Sequence, residues 1–175
     1  MKYDSVKGSL ILSSPVGDKL GGVFKGSVIY LIEDGPNGSA GVIINRPVQK
    51  NLDAIGKALS LDESSVFTSS KLFLGGPVSI RKVSVLYSIK SEVHFSSSRK
   101  TLEDCYYGYK GLNCKFFLGY SAWGPGELYR EIVKNYWYVV PAATSSIFGE
   151  INKVSEIGRN FGLRPGMVSN TCGNA

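Results

Sequence analysis

Apolar positions in this chain fall mostly in short runs rather than in helical stripes. GSLILSS at Gly8–Ser14 is a short apolar run, and SVIYLIE at Ser27–Glu33 and AGVIINR at Ala40–Arg46 are rich in β-branched residues; all three have the length of strands. DGPNGS, between the second and third runs, is dense in turn residues and predicts an antiparallel hairpin. Both hairpin strands are almost continuously apolar, so burial on both faces is expected, under helices or another sheet.

Helical spacing appears further along. NLDAIGKALS places Leu52, Ile55 and Leu59 on one face, with Asn51 as a cap and Asp53 in the first turn. KLFLGGPVS reads as a short strand ending in Gly-Gly-Pro, and VSVLYSI at Val83–Ile89 as another. SSRKTLEDCYYG predicts a helix capped by Ser97 or Ser98, with Leu102, Cys105 and Tyr106 inward and Gly108 as its stop. CKFFLGYS is a strand. The helix after it carries Leu128, Ile132, Val133 and Tyr136 on one face. YVVPA is extended, and NKVSEIGRNFG supplies a last helix with Val154, Ile157 and Phe161 inward and Gly162 as the stop. Strands and helices do not alternate as β-α-β units. The pattern is α+β, with a largely antiparallel sheet and three or four short helices.

Composition narrows this to one domain over residues 1–175. The chain has 175 residues, 43% of them hydrophobic, which is enough for one core and poor for two. Its 21 glycines exceed the usual share and predict tight turns and close backbone approaches. The polar tail after Gly166 reads as mobile. Twenty basic and 14 acidic residues give a net charge of +6, spread without a block of like charges. Such a balance favours loose contact with polyanions but supplies no base-reading element. Cys105, Cys114 and Cys172 form no C-x-x-C pair, which predicts free thiols in a reducing compartment. With no long apolar run for a signal or a membrane span, a cytoplasmic protein is expected.

The stretch LGYSAWGPGELYREIVKNYW, Leu118 to Trp137, combines a strand, a glycine hinge and a helix. A nucleophile elbow needs G-x-S-x-G; here the second glycine arrives one residue late, and the single histidine, His94, precedes Ser121. An anion site at the helix start is the other reading. Gly124 would be the N-cap and Pro125 the first helical residue. Glu127 then stands where its carboxylate folds back on the free amides, so a self-capped helix is the simpler account.

GPNGSAG and GGPVS lack the Lys-Ser/Thr of a phosphate loop and the spacing of a dinucleotide fingerprint. One histidine and scattered cysteines offer no metal-ligand pair, and no cofactor is expected. His94 alone reads as structural. Tyr106, Tyr107 and Tyr109 beside Lys110 have the make-up of a base-stacking patch, although a helix end covering the core is the commoner role. Arg46 is the only arginine in the first 80 residues and leaves a buried strand just before Pro47. It either pairs with a buried carboxylate or faces an anionic ligand.

The segments SVIYLIE, GSAGVIINRP, LFLGGPVS, VLYS and LGYSAWGPGELYREIVKNYW together resemble the bacterial YqgE/AlgH family, in the family's order, over about Gly8 to Trp137. The resemblance implies a barrel-like antiparallel sheet flanked by helices. Family members are often labelled transcriptional regulators, with no established biochemical activity and no catalytic set to carry over. Ser121 stands where the family pattern resembles alanine. Asp34 and the terminal CGNA stand where family histidines are usual, and IRKVS follows the Gly-Gly-Pro segment in place of an Arg-Gly pattern. A mechanism built on those histidines would not operate here.

These readings favour a noncatalytic regulatory or binding protein, with a protein or small anionic ligand as partner and Asn45, Arg46, Gly75, Gly76, Trp123 and Gly124 as its groove. Direct nonspecific DNA binding and an unrecognised hydrolase are the alternatives. No helix-turn-helix is readable, and no membrane partner is expected.

Overall fold

A computed structural model describes residues 4–51, 53–58, 60–61, 71–108, 112–150, 154–164 and 166–168. Among these residues nine strands and five short α-helices follow in chain order. They are β1 (Ser9–Ser13), β2 (Val28–Gly35), β3 (Gly38–Ile43), β4 (Pro47–Asn51), α1 (Asp53–Ala58), β5 (Lys71–Leu74), β6 (Val78–Ile89) and β7 (Glu92–Ser96). Then come α2 (Arg99–Tyr106), β8 (Asn113–Trp123), α3 (Glu127–Val133), β9 (Trp137–Pro141), α4 (Thr144–Phe148) and α5 (Val154–Asn160).

The α+β class holds and most strand pairs are antiparallel, but β5 lies parallel to β8, so the sheet is mixed, and it is open rather than barrel-like. Its strand path runs β4-β5-β8-β3-β2-β1-β9, with β6 also on β8 and β7 on β6. β4 and β9, the two ends of that path, do not pair with each other. β8 is the reason. Its first half lies between β5, parallel to it, and β6, antiparallel to it, while its last residues pair with β3. β8 thus pairs with three strands, so the sheet branches there and is not a single ring of strands.

The predicted hairpin is present, with Gly35 opposite Gly38 across Pro36 and Asn37. Its strands are buried on both faces, as their continuous apolar runs require. Leu10, Leu12, Val28, Tyr30, Val42 and Ile44 enter one cluster with Val154 and Ile157 of α5 and Ile147 of α4. The alternate residues Ile11, Ile29, Leu31 and Ile43 enter another with Trp123, Trp137 and Leu128 of α3. A third cluster joins Ile55 of α1 and Leu102, Cys105 and Tyr106 of α2 to Leu72, Val85 and Phe116 beneath them.

Helix boundaries differ in detail. Ser98 caps α2 by accepting from the Thr101 amide at 3.3 Å, and Gly108 follows at φ 66°. Asn51 ends a strand rather than capping α1, while Leu52 and Leu59 lie outside the described residues. Val133 and Phe161 are exposed, not inward: Val133 lies one position round from the Leu128–Ile132 face of α3, and Phe161 follows the end of α5. Tyr109, Lys110 and the tail from residue 169 also lie outside the described residues.

Candidate functional site

The glycine landmarks resolve into a strand crossing. The chain leaves β5 on one edge of β8 and enters β6 on the other, with only Gly75, Gly76 and Pro77 between. Backbone passes over backbone at this point. A side chain on Gly75 would collide with the Gly119 carbonyl, and one on Gly76 with the Tyr120 main chain and Ser121 Oγ. Gly119 adopts φ 68°, and a Cβ there would stand 2.6 Å from the Gly76 carbonyl. Three glycines are needed because two backbones touch.

Ser121 fastens this crossing. It is fully buried, and its Oγ donates to the Gly75 carbonyl at 3.2 Å. The Gly75 carbonyl also accepts from the Ile43 amide at 2.9 Å. A hydroxyl held in that way has no open approach for an electrophile.

Asn45 and Arg46 hold the entry to β2. Asn45 Oδ1 accepts from the Val28 amide at 2.8 Å, and its Nδ2 donates to the Gly26 carbonyl at 2.9 Å. Arg46 is 7% exposed and donates from Nη2 to the Lys25 carbonyl. Burial lowers its pKa from the ordinary arginine value.

Trp123 ends β8 at a corner closed by two carboxylates. Its Nε1 and that of Trp137 both donate to Glu131 Oε2, at 2.9 and 2.7 Å. Phe24 packs tilted against the first indole and edge-on to the second. The Gly124 amide donates to Glu127 Oε2 at 2.8 Å. The carboxylate thus folds back as the sequence predicts, although the helix starts two residues later than expected. Gly126, left-handed at φ 67°, is the N-cap.

Other titratable groups are tied elsewhere. His94 stacks on Tyr87 with ring centres 5.3 Å apart and is partly exposed. Lys115 is buried, with Nζ donating to the Ile147 and Gly149 carbonyls at 3.0 and 3.4 Å and lying over the Phe73 ring. Burial, and secondarily repulsion from Lys71, lower its pKa to about 8. Among the described residues no group of three or more His, Cys, Asp or Glu is placed to hold a metal. No helix among them is long and apolar enough to cross a membrane.

A cleft of about 610 Å³ opens away from the predicted groove. Tyr87, Ser88, Lys90 and Ser91 of the β6–β7 hairpin form one wall. Thr101 and Asp104 of α2, Asn113 of β8 and Thr144 of α4 form the rest. Asn113 Nδ2 donates to Ser88 Oγ at 3.3 Å, and Thr144 Oγ1 to the Ser91 carbonyl at 3.3 Å. Lys90 and Ser91 make the two-residue turn at φ 48° and 71°, left-handed conformations usually given to Asn-Gly. None of the six groove residues lines this cleft or the two smaller hollows, of about 260 and 350 Å³, beside β2. The cleft was not legible in sequence, since four elements supply its walls. The one local signal is a Lys-Ser hairpin turn without glycine.

The model of the AlgH-like family (DUF179) matches residues 10–162. A UPF0301 protein of Methylococcus capsulatus is 34% identical, over 73% of this chain and 76% of its own length. One from Chlamydia caviae is 32% identical, over 82% and 79%. In fold, the chain resembles the solution structure of the AlgH protein from Pseudomonas aeruginosa, with TM-score 0.74 and 24% identity over the whole of both chains. It also resembles the crystal structure of protein DIP2367 from Corynebacterium diphtheriae, with TM-score 0.68 and 17% identity, covering 98% of this chain and 95% of that one. The match spans the two-faced hairpin, the glycine crossing and the tryptophan corner, and the chain belongs to the AlgH-like family.

Proposed function

We propose that this chain is a noncatalytic binding protein with a regulatory role, and that a small anionic ligand enters the cleft between the β6–β7 turn, α2 and the start of β8. The make-up of the cleft carries this reading. Lys90 supplies a cation, Ser88 and Asn113 supply neutral donors, and Asp104 on the opposite wall accepts from a donor on the ligand. The cleft volume of about 610 Å³ lies within the roughly 300–1,000 Å³ common for small-molecule sites. Left-handed backbone at a non-glycine residue costs about 1–3 kcal/mol and gathers at functional positions, which supports a role for the Lys90–Ser91 turn. Free Cys105 and Cys114 support the cytoplasm as the compartment.

A thermal-shift screen of phosphorylated and carboxylated metabolites tests the proposal. A ligand-dependent rise in Tm that disappears in Lys90→Gln and Asp104→Asn supports the cleft. A rise that survives both and disappears in Arg46→Lys moves the ligand to the groove of Asn45, Arg46, Gly75, Gly76, Trp123 and Gly124. No rise with any compound at about 1 mM contradicts the reading for ligands bound more tightly than about −4 kcal/mol.

The net charge of +6 favours a second reading, weak nonspecific DNA binding. α4 and α5 follow one another without a strand between them among the described residues, but they have five and seven residues, short for a groove-reading pair. In a gel-shift titration, retention lost by about 200 mM salt fits charge alone. Sequence-dependent retention above that salt would replace the ligand reading.

A further inference from the structure

Lys82 and Ser84 of β6 alternate with Val83 and Val85, so they share the face of the strand that carries Leu86. Just before them the pairing of β6 with β8 slips between Val78 and Val83, and Ser79 takes a left-handed φ of 52°. Such irregularities re-aim side chains and gather beside working sites. A hollow of about 260 Å³ opens there, over the strand run β6-β8-β3-β2. Its smallest lining residues, Gly119 and Ala40, lie on the two middle strands. Lys82 borders it from β6 and Glu33 from β2, the two ends of that run. Neither has an ion-pair partner among the described residues. Ser84 lines it too, only 6% exposed, and its hydroxyl has no hydrogen-bond partner among the described residues. A buried hydroxyl ordinarily has a partner, and here the hollow is the side from which one can come.

We propose that this hollow is a second binding site, for a free amino acid with an apolar side chain. The ligand's carboxylate takes the Lys82 ammonium and the Ser84 hydroxyl, two positions apart on one face of β6. Its ammonium meets Glu33 from the β2 side. Its side chain covers Phe95, which is 38% exposed, beside Ile32 and Tyr120. A cation at one end and a carboxylate at the other select a zwitterion over a simple anion, which Glu33 repels. A volume of about 260 Å³ falls below the roughly 300–1,000 Å³ usual for small-molecule sites and suits a single residue rather than a peptide. The hollow shares no lining residue with the larger cleft, so the two sites are independent.

The experiment titrates the isotope-labelled full chain with L-leucine and follows its amide signals. The expected result is saturable movement at Glu33, Ser84, Phe95 and Gly119, with Ser88 and Asn113 unmoved. Lys82→Gln and Glu33→Gln, both at exposed positions, should each weaken binding roughly tenfold. N-acetyl-L-leucine lacks the ammonium and L-leucinamide lacks the carboxylate; each should bind the unaltered chain roughly tenfold more weakly than leucine. The inference is overturned if no saturable movement appears up to about 10 mM leucine, or if the movement centres on Ser88, Lys90 and Asn113. Equal binding of leucine and its acetylated form, or unchanged binding in both variants, overturns it as well.

Discussion

Trp123 and Trp137 donate their indole N–H groups to the same oxygen of Glu131, at 2.9 and 2.7 Å. Their rings meet edge to face, with centres 6.2 Å apart. One strand end, one helix and the strand after it are thereby pinned at a single carboxylate. Both indoles are buried, so each N–H needs an acceptor within the protein.

Replacing Glu131 by Ala leaves two buried donors without that acceptor. The expected loss is about 2 kcal/mol, or roughly 4–8 °C in Tm for a chain of this size. Glu131→Gln keeps an acceptor and should lose less than half as much. Urea unfolding followed by tryptophan fluorescence checks both, and equal losses in the two variants would mean that charge, not acceptance, is what Glu131 supplies.

The crossing at Gly76 admits no side chain. Gly76→Ala drives a Cβ into the Tyr120 main chain at φ 153°, and a cost above roughly 3 kcal/mol is expected. Gly35→Ala is the control, since nothing lies within 4 Å of a Cβ there; it should cost below about 1 kcal/mol. Circular-dichroism melts of the two variants measure the contrast, and similar melts would refute the crossing as a steric requirement.

Lys115 makes stability depend on pH. Its pKa falls from 10.5 to about 8 in the folded chain, so between those values the unfolded chain binds more protons. Stability from this group therefore rises as pH climbs from about 8 to 10.5, and it is lost as pH falls back through about 8. Relative to Lys115→Met, the wild type should gain roughly 3 kcal/mol at most across that window. Denaturant midpoints of both proteins at several pH values measure the difference, and parallel pH profiles would contradict the lowered pKa.

Much of the fold was legible because burial on both faces leaves its mark in continuous runs such as Val28–Leu31, whose alternate residues feed two clusters. The α2 face was equally readable from Leu102, Cys105 and Tyr106. β4, β7 and α4 were not, being short and carrying too few apolar positions to show a period. The barrel expectation came from the family resemblance, and the open, branched strand path, whose ends β4 and β9 are not paired, overturns it. The groove expectation arose from glycine itself: a missing side chain looks the same in sequence whether a ligand or another backbone comes close. At Gly75 and Gly76 the neighbour is backbone. Glu127 was read correctly because its return to the Gly124 amide depends only on local spacing.

The glycine crossing and the tryptophan corner form a frame apart from the cleft at the Lys90–Ser91 turn that is proposed to take a ligand. Amide NMR of the isotope-labelled chain, titrated with the phosphorylated and carboxylated compounds of the screen, tests that separation most directly. The predicted result is a set of shifts confined to Ser88, Lys90, Ser91, Asp104 and Asn113, with Gly75, Gly76 and Gly124 unmoved. Shifts centred on Gly76, Trp123 and Gly124, with the turn unmoved, would contradict it.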